Sequence, residues 1–403
     1  FDMLEVGYGI NLRRLTTFAA DIYGNDECKK FWPHVLDKNK FDPVDDQLAA
    51  RMHKAIAIMQ FKLEGQLIKE HPEFDLDKRL LLDKIDFENG TVNVEGTVYP
   101  LNDTFFPTID PNNPYELTED ERAVMNSLSA SIINSERLQT HIRYMFSHGA
   151  LYKRINGNLL FHGCIPMDEN GDFLPVDIYG AKCAGRALMD HLDKQIRASY
   201  FSPEKIKKYG KPGDLMWYLW LAKDSPLFGK EKMTTFERLF IDDKASHKEH
   251  VRPYYKLINS KEPCEKILRE FGLDPSHSKI LNGHVPVKIK NGESPIKGGG
   301  LLYVIDGGIS KAYQKQTGIA GYTFIFNSRF MALAEHKPYE PLREDGTQKF
   351  FSPSMKTVDT LKTRMLVIDT DEGAELLRQA EAVKRLVEAY KTGEIKERPE
   401  GKY

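Results

Sequence analysis

From about residue 150 onward the chain alternates short apolar runs with helix-length amphipathic segments, and this alternation narrows the fold more than any other feature. GNLLFHG, KILNGHVPVKI, GLLYVIDGG and GYTFIFNS read as strands bounded by glycine or polar turn residues. GRALMDHLDKQIRASYF and EGAELLRQAEAVKRLVEAYKTG read as helices, the second stopped by Gly393, and DLMWYLWLA is an aromatic-rich apolar run. Strands and helices in alternation predict an α/β chain. The first third is different. Leu48, Met52, Ile56, Met59, Leu63 and Leu67 recur three or four apart and predict a helix with one buried face. His53 lies on that helix and reads as structural. Asn89-Gly90 between two β-rich runs predicts a two-residue hairpin turn within 84–99. A Pro/Asn-rich connector then leads to Thr118, which forms a capping box with Glu121 and opens a helix running to about Phe146. The expected organisation is a mostly helical insertion or cap over 1–147, a core over 148–340, and a polar loop, a strand at TRMLVIDTD and a closing helix over 341–403.

Charge excludes several partner classes. The 57 basic and 59 acidic residues give a net charge of −2, with no bulk attraction to nucleic acid or to an anionic membrane. The apolar runs fall well short of the roughly 20 residues a membrane span needs. Cys28, Cys164, Cys183 and Cys264 are widely spaced and read as reduced thiols of a cytoplasmic protein. No Gly-rich phosphate loop of the P-loop type and no dinucleotide fingerprint follows any strand.

The candidate chemistry sits at two strand ends. His162 follows Leu159-Leu160-Phe161, and His284 follows Ile280-Leu281-Asn282-Gly283. Ligands of α/β proteins collect beyond the carboxyl ends of strands, and neutral imidazole binds Zn, Mn and Fe. Each histidine alone could equally be a hydrogen-bonded turn residue; their matched contexts point to a pair of metal ligands. Cys164 is either a third ligand or, as we favour, a small buried residue. Asp306 either orients an imidazole or, as we favour, forms the turn before Gly307-Gly308. His247 and His250 lie in a charged run and read as solvated. Lys288, Lys290, Lys297, Lys311 and Lys315 fall among glycines, where they could meet phosphate oxygens or simply be solvated.

Longer stretches carry more information. GDLMWYLWLAKDSPLFGKEKMTTFERLFI, ILNGHVPVK, LLYVIDGGISKAYQKQTGIAGYTFIFNS and FHGCIPM resemble the class III fructose-1,6-bisphosphatases of bacteria. GYGINLRRLTTFA and MHKAIAIMQFKLEGQLIK extend the resemblance over nearly the whole chain, with Trp220-Leu221-Ala222 departing from the family's Trp-Cys-Gly. The resemblance implies a metallophosphoesterase-type double β-sandwich flanked by helices. It implies a dinuclear metal centre, typically Mn2+ with Mg2+ or another divalent ion as alternatives. Its His-Gly and Gly-His motifs fall on His162-Gly163 and Gly283-His284, which would ligate one ion. The implied reaction removes the C1 phosphate of fructose 1,6-bisphosphate in gluconeogenesis. From their place among glycines, and not from the resemblance, we add Lys288, Lys297 and Lys311 as candidate contacts of the sugar bisphosphate. The family's GDxHG, GDxxDRG and GNH[DE] motifs do not occur in these 403 residues. Together with the Phe-Asp-Met start, this leads us to expect the C-terminal portion of a longer protein, with an upstream segment supplying the other ligands. A metallophosphoesterase for another sugar phosphate or for phosphoprotein, or a non-catalytic module that only binds ligand or the upstream segment, are the rival readings, and a homo-oligomer is compatible with the sequence.

Overall fold

The structure, a computed structural model, describes residues 1–33, 43–201, 213–338 and 354–396. The chain divides into two compact units, Phe1–Leu151 with Pro166–Tyr254, and Tyr152–Ile165 with Tyr255–Tyr403. The expected boundary at 147 falls beside the first crossing, and residues 166–254 return to the first unit.

In the first unit, α1 (Arg13–Ile22) packs on α2 (Pro43–Glu70), a helix of 28 residues. The heptad-like apolar positions of α2 do turn inward: Met52 and Met59 join a core with Leu15, Phe18 and Val124. The helix is nevertheless buried on two sides, since Ala50, Ala57, Ile58 and Phe61 join a second core with Phe106, Phe236 and Phe240. The charges that lie between these faces are buried in pairs. Lys54 donates to Asp26 and, at 2.6 Å, to Asp103; Lys62 donates to Glu121 at 2.7 Å; Arg79 clamps Glu64. His53 is structural as expected, its ring edge-on to Phe31 at 5.3 Å.

A three-stranded antiparallel meander follows, β1 (Ile85–Asp86), β2 (Thr91–Val94) and β3 (Thr97–Pro100). Its two-residue turn is Glu95-Gly96 rather than Asn89-Gly90. Both Glu95 and Gly96 hold the positive φ that such a turn demands, at 48° and 90°. Asn89-Gly90 instead closes a longer turn in which Asp86 accepts from the amides of Glu88 and Asn89. The capping box forms as read: Thr118 and Glu121 exchange side-chain-to-backbone hydrogen bonds. The helix it opens is two helices, α3 (Glu119–Asn134) and α4 (Glu136–His148). Ser135 breaks it at ψ 98° by accepting from Leu138 N and donating to the Tyr8 carbonyl. The unit continues with a hairpin of β4 (Val176–Ile178) and β5 (Ala181–Cys183), then α5 (Gly185–Phe201), α6 (Asp214–Leu221) and α7 (Thr235–Phe240). His247 is not solvated. Its Nε2 lies 3.0 Å from the Glu237 carbonyl and 2.8 Å from that of Ile241, at the carboxyl end of α7 where helical carbonyls lack partners.

The second unit is built on a mixed five-stranded sheet. We label its strands in chain order: β6 (Tyr152–Ile155), β7 (Asn158–Phe161), β8 (Ile280–Asn282), β9 (Ile296–Lys297) and β10 (Leu302–Val304). Their spatial order is β6-β7-β8-β10-β9; β7, β8 and β10 are parallel and the two edge strands antiparallel. The central strands are almost wholly buried, as continuous apolar runs in parallel sheets should be. Helix α8 (Lys261–Glu270) contributes the buried Cys264, Ile267 and Leu268. After α9 (Lys311–Thr317) comes an antiparallel sheet, β11 (Gly321–Phe326), β12 (Phe330–His336) and β13 (Ser354–Thr360). The last strand therefore precedes TRMLVIDTD, where only a single 3-10 turn, Val367–Asp369, forms. Strand β13 is an edge strand whose side chains are mostly exposed, so its polar sequence reads as loop. Residues 339–353 of the expected polar loop lie outside the described residues. Helix α10 (Asp371–Lys391) closes the chain, and Gly393 ends it in a left-handed conformation. With its helices and four small sheets, the chain is α/β among the described residues.

Candidate metal centre

Parallel pairing of β7 with β8 aligns Leu159 with Ile280 and Leu160 with Leu281. The residues that leave these strands therefore emerge side by side at one sheet edge. His162 Nε2 and His284 Nδ1 are 3.1 Å apart, with ring planes at 70°. Nitrogens on one tetrahedral ion would sit roughly 3.3 Å apart for bonds of about 2.05 Å, so the pair fits a single divalent ion. Two bonds lock the two loops together, and a third ties in the neighbouring strand. Gly283 N donates to the His162 carbonyl at 2.9 Å, and Asn282 Nδ2 donates to the Gly163 carbonyl at 3.1 Å. Ile305 N donates to the Asn282 carbonyl at 2.9 Å, tying β10 to the same edge. His284 itself holds φ at 67°, a left-handed conformation that few non-glycine residues adopt. At Gly283 an added Cβ would meet Asp306 Cβ at 3.5 Å and the His162 carbonyl at 3.7 Å, ordinary contacts. Glycine is thus not sterically required there.

The other sequence candidates fall as follows. Asp306 lies two residues beyond β10 and accepts from Gly308 N at 2.7 Å, the turn-forming arrangement. Cys164 is buried. Among the described residues, no third histidine, cysteine, aspartate or glutamate joins His162 and His284 as a ligand cluster. Lys288 is exposed on the loop leaving β8, its amide bonded to Glu293 at 2.9 Å. Lys311 starts α9, on the carboxyl side of β10; its side chain lies outside the described residues, as does that of Lys315. Lys297 pairs with Leu302 at the amino end of β10, the end away from the histidines, and its Nζ bonds Asn259 at 3.2 Å.

One cluster was not anticipated from sequence. Glu70, His71 and Asp214 bring a possible ligand atom each to within 4.8 Å of one another. His71 Nε2 is 2.9 Å from Asp214 and its Nδ1 is 2.8 Å from Glu73, while its ring stacks on Phe74 at 4.7 Å. Burial alone would lower the pKa of His71; the hydrogen bonds to Glu73 and Asp214 outweigh it and raise it. All four cysteines are free thiols, and no helix among the described residues is long and apolar enough to cross a membrane.

A family model described as Firmicute fructose-1,6-bisphosphatase matches residues 1–392. The fructose-1,6-bisphosphatase class 3 of Clostridium tetani is 52% identical over 398 residues, covering 98% of this chain and 60% of that protein. The protein of the same description from Clostridium acetobutylicum is 51% identical over 396 residues, covering 98% and 59%. That from Clostridium botulinum strain Okra is 49% identical over 403 residues, with the same coverage. The chain spans about 60% of the length of these curated relatives. No solved structure matches it. By a match that runs through 392 of its residues and holds both histidine-bearing strand ends, the chain belongs to the Firmicute fructose-1,6-bisphosphatase family.

Proposed function

We propose that the chain serves hydrolysis of the C1 phosphate of fructose 1,6-bisphosphate to fructose 6-phosphate and inorganic phosphate, a gluconeogenic reaction of the cytoplasm. The observation that carries this reading is the convergence of His162 and His284 from adjacent parallel strands in a chain of this family. In it the two imidazoles would hold one ion of a dinuclear manganese centre, with Mg2+ or another divalent ion as the alternative occupant. Two nitrogens are part of a ligand set, and the rest of the coordination comes from other groups. When bound, such ions acidify water and neutralise charge on the phosphoryl oxygens. The chain's own residues hold the ligands: the Asn282 side chain and the Gly283 amide fix the His162 and His284 loops against each other. Water adds to phosphorus and the C1 oxygen leaves with a proton, so the atoms balance. Lys288 and Lys311, both on the carboxyl side of the parallel strands, are the proposed contacts of the phosphate that is kept. Lys297 is occupied by Asn259 at the far end. The five-stranded sheet is read as part of a metallophosphoesterase-type double β-sandwich.

The test is turnover of fructose 1,6-bisphosphate with added Mn2+ in His162→Ala and His284→Ala. Loss should exceed the roughly 10–100-fold that follows removal of a group around a metal ligand. Turnover near the parent's in both variants would remove the ligand assignment.

A further inference from the structure

Glu70, His71 and Asp214 belong to the unit of Phe1–Leu151 and Pro166–Tyr254, and none takes part in the His162–His284 pair. We propose that these three residues bind one divalent transition-metal ion of the Mn–Zn class, with Glu73 orienting the imidazole, as a tie between the end of α2 and the start of α6.

The chemistry begins with the imidazole. Glu73 Oε1 lies 2.8 Å from His71 Nδ1 and accepts a hydrogen bond from an Nδ1–H. That leaves Nε2 facing Asp214 at 2.9 Å, with Glu70 in reach. A histidine whose other nitrogen donates to a carboxylate is the usual form of an imidazole ligand, because the bond fixes the tautomer and raises basicity. The ring cannot swing away, since it lies flat on Phe74, with planes within 11°, and Phe74 packs on Tyr218 of α6. His71 and Asp214 are 9% and 7% exposed. Three carboxylates around one imidazole repel one another unless positive charge lies among them. A proton on Nε2 supplies one charge; a divalent ion supplies two and accepts an electron pair from each ligand. One nitrogen and two carboxylate oxygens suit Zn2+ and Mn2+. Glu70 is exposed, which gives the ion a way in.

The experiment uses the full chain carrying His162→Ala and His284→Ala, so that the strand-end pair is silent, titrated with Mn2+ and with Zn2+ by calorimetry. One equivalent should bind and raise the unfolding temperature. Glu70→Gln, at the exposed ligand, and Asp214→Asn should each weaken binding by tenfold or more and abolish the rise. If Asp214→Asn fails to fold, Glu70→Gln carries the test alone. Absence of saturable binding, or affinity unchanged in Glu70→Gln, would overturn the proposal and leave a protonated His71 as what balances the cluster. The outcome is independent of the strand-end assignment, because that pair is removed throughout.

Discussion

Replacing Asn282 with alanine isolates the strut that joins the two histidine-bearing loops. Asn282 is 2% exposed, and its Nδ2 meets the Gly163 carbonyl at 3.1 Å. The variant removes one buried hydrogen bond and leaves that carbonyl short of a donor, at about 1–3 kcal/mol. The bonds from Gly283 N to His162 and from Ile305 N to Asn282 are backbone bonds and should persist, so the sheet survives while its edge loosens. Taking ~2 kcal/mol, the amides of β7 and β8 should exchange with solvent about 30-fold faster, one factor of ten for each ~1.4 kcal/mol. Native-state hydrogen exchange read by mass spectrometry resolves that change. Asn282→Asp is the companion variant: its shape is kept, but a carboxylate cannot donate to the Gly163 carbonyl, so it should lose at least as much. If protection of both strands stays within twofold in both variants, the side chain is not the strut described here.

Three further outcomes follow from buried charges and caps. Lys54→Ala strands Asp26 and Asp103 beside an apolar core and should destabilise the first unit by about 3–5 kcal/mol, seen as a lower urea midpoint. Thr118→Ala removes half of the capping box, at ~1 kcal/mol, so exchange at the start of α3 should quicken about fivefold. Hydrogen bonds from Lys232 and then Lys78 lower Glu95 from 4.5 to about 2. A depressed carboxylate stabilises the fold fully above its unfolded pKa and loses that contribution as pH falls toward 2. The acid limb of the stability profile between pH 4.5 and 2 should therefore flatten in Glu95→Gln, modestly, because the side chain is 43% exposed.

Helix α2 was legible because Met52, Met59 and Leu67 keep helical period. Its second buried face was not, because Lys54, Lys62 and Glu64 look like solvent-facing charges until their partners at Asp26, Asp103, Glu121 and Arg79 are brought in by the tertiary fold. The same holds for the site. Each strand-end histidine could be picked from a few residues, whereas their 3.1 Å approach depends on pairing β7 with β8 across the chain. The His71 cluster had no local signal at all: its aspartate is 143 positions away and reads as the start of an apolar helix. Strand β13 escaped notice for the opposite reason, since an exposed edge strand needs no apolar alternation.

The left-handed backbone at His284 sets stability against chemistry at a single position. A residue with a Cβ gives up on the order of 1 kcal/mol to stay there, whereas glycine would relax the loop at no steric expense. A chain under no demand for an imidazole at that edge would drift toward glycine and gain stability. Keeping histidine means the fold holds this corner in tension, with the neighbouring Asn282 and Gly283 bonds as the restraint.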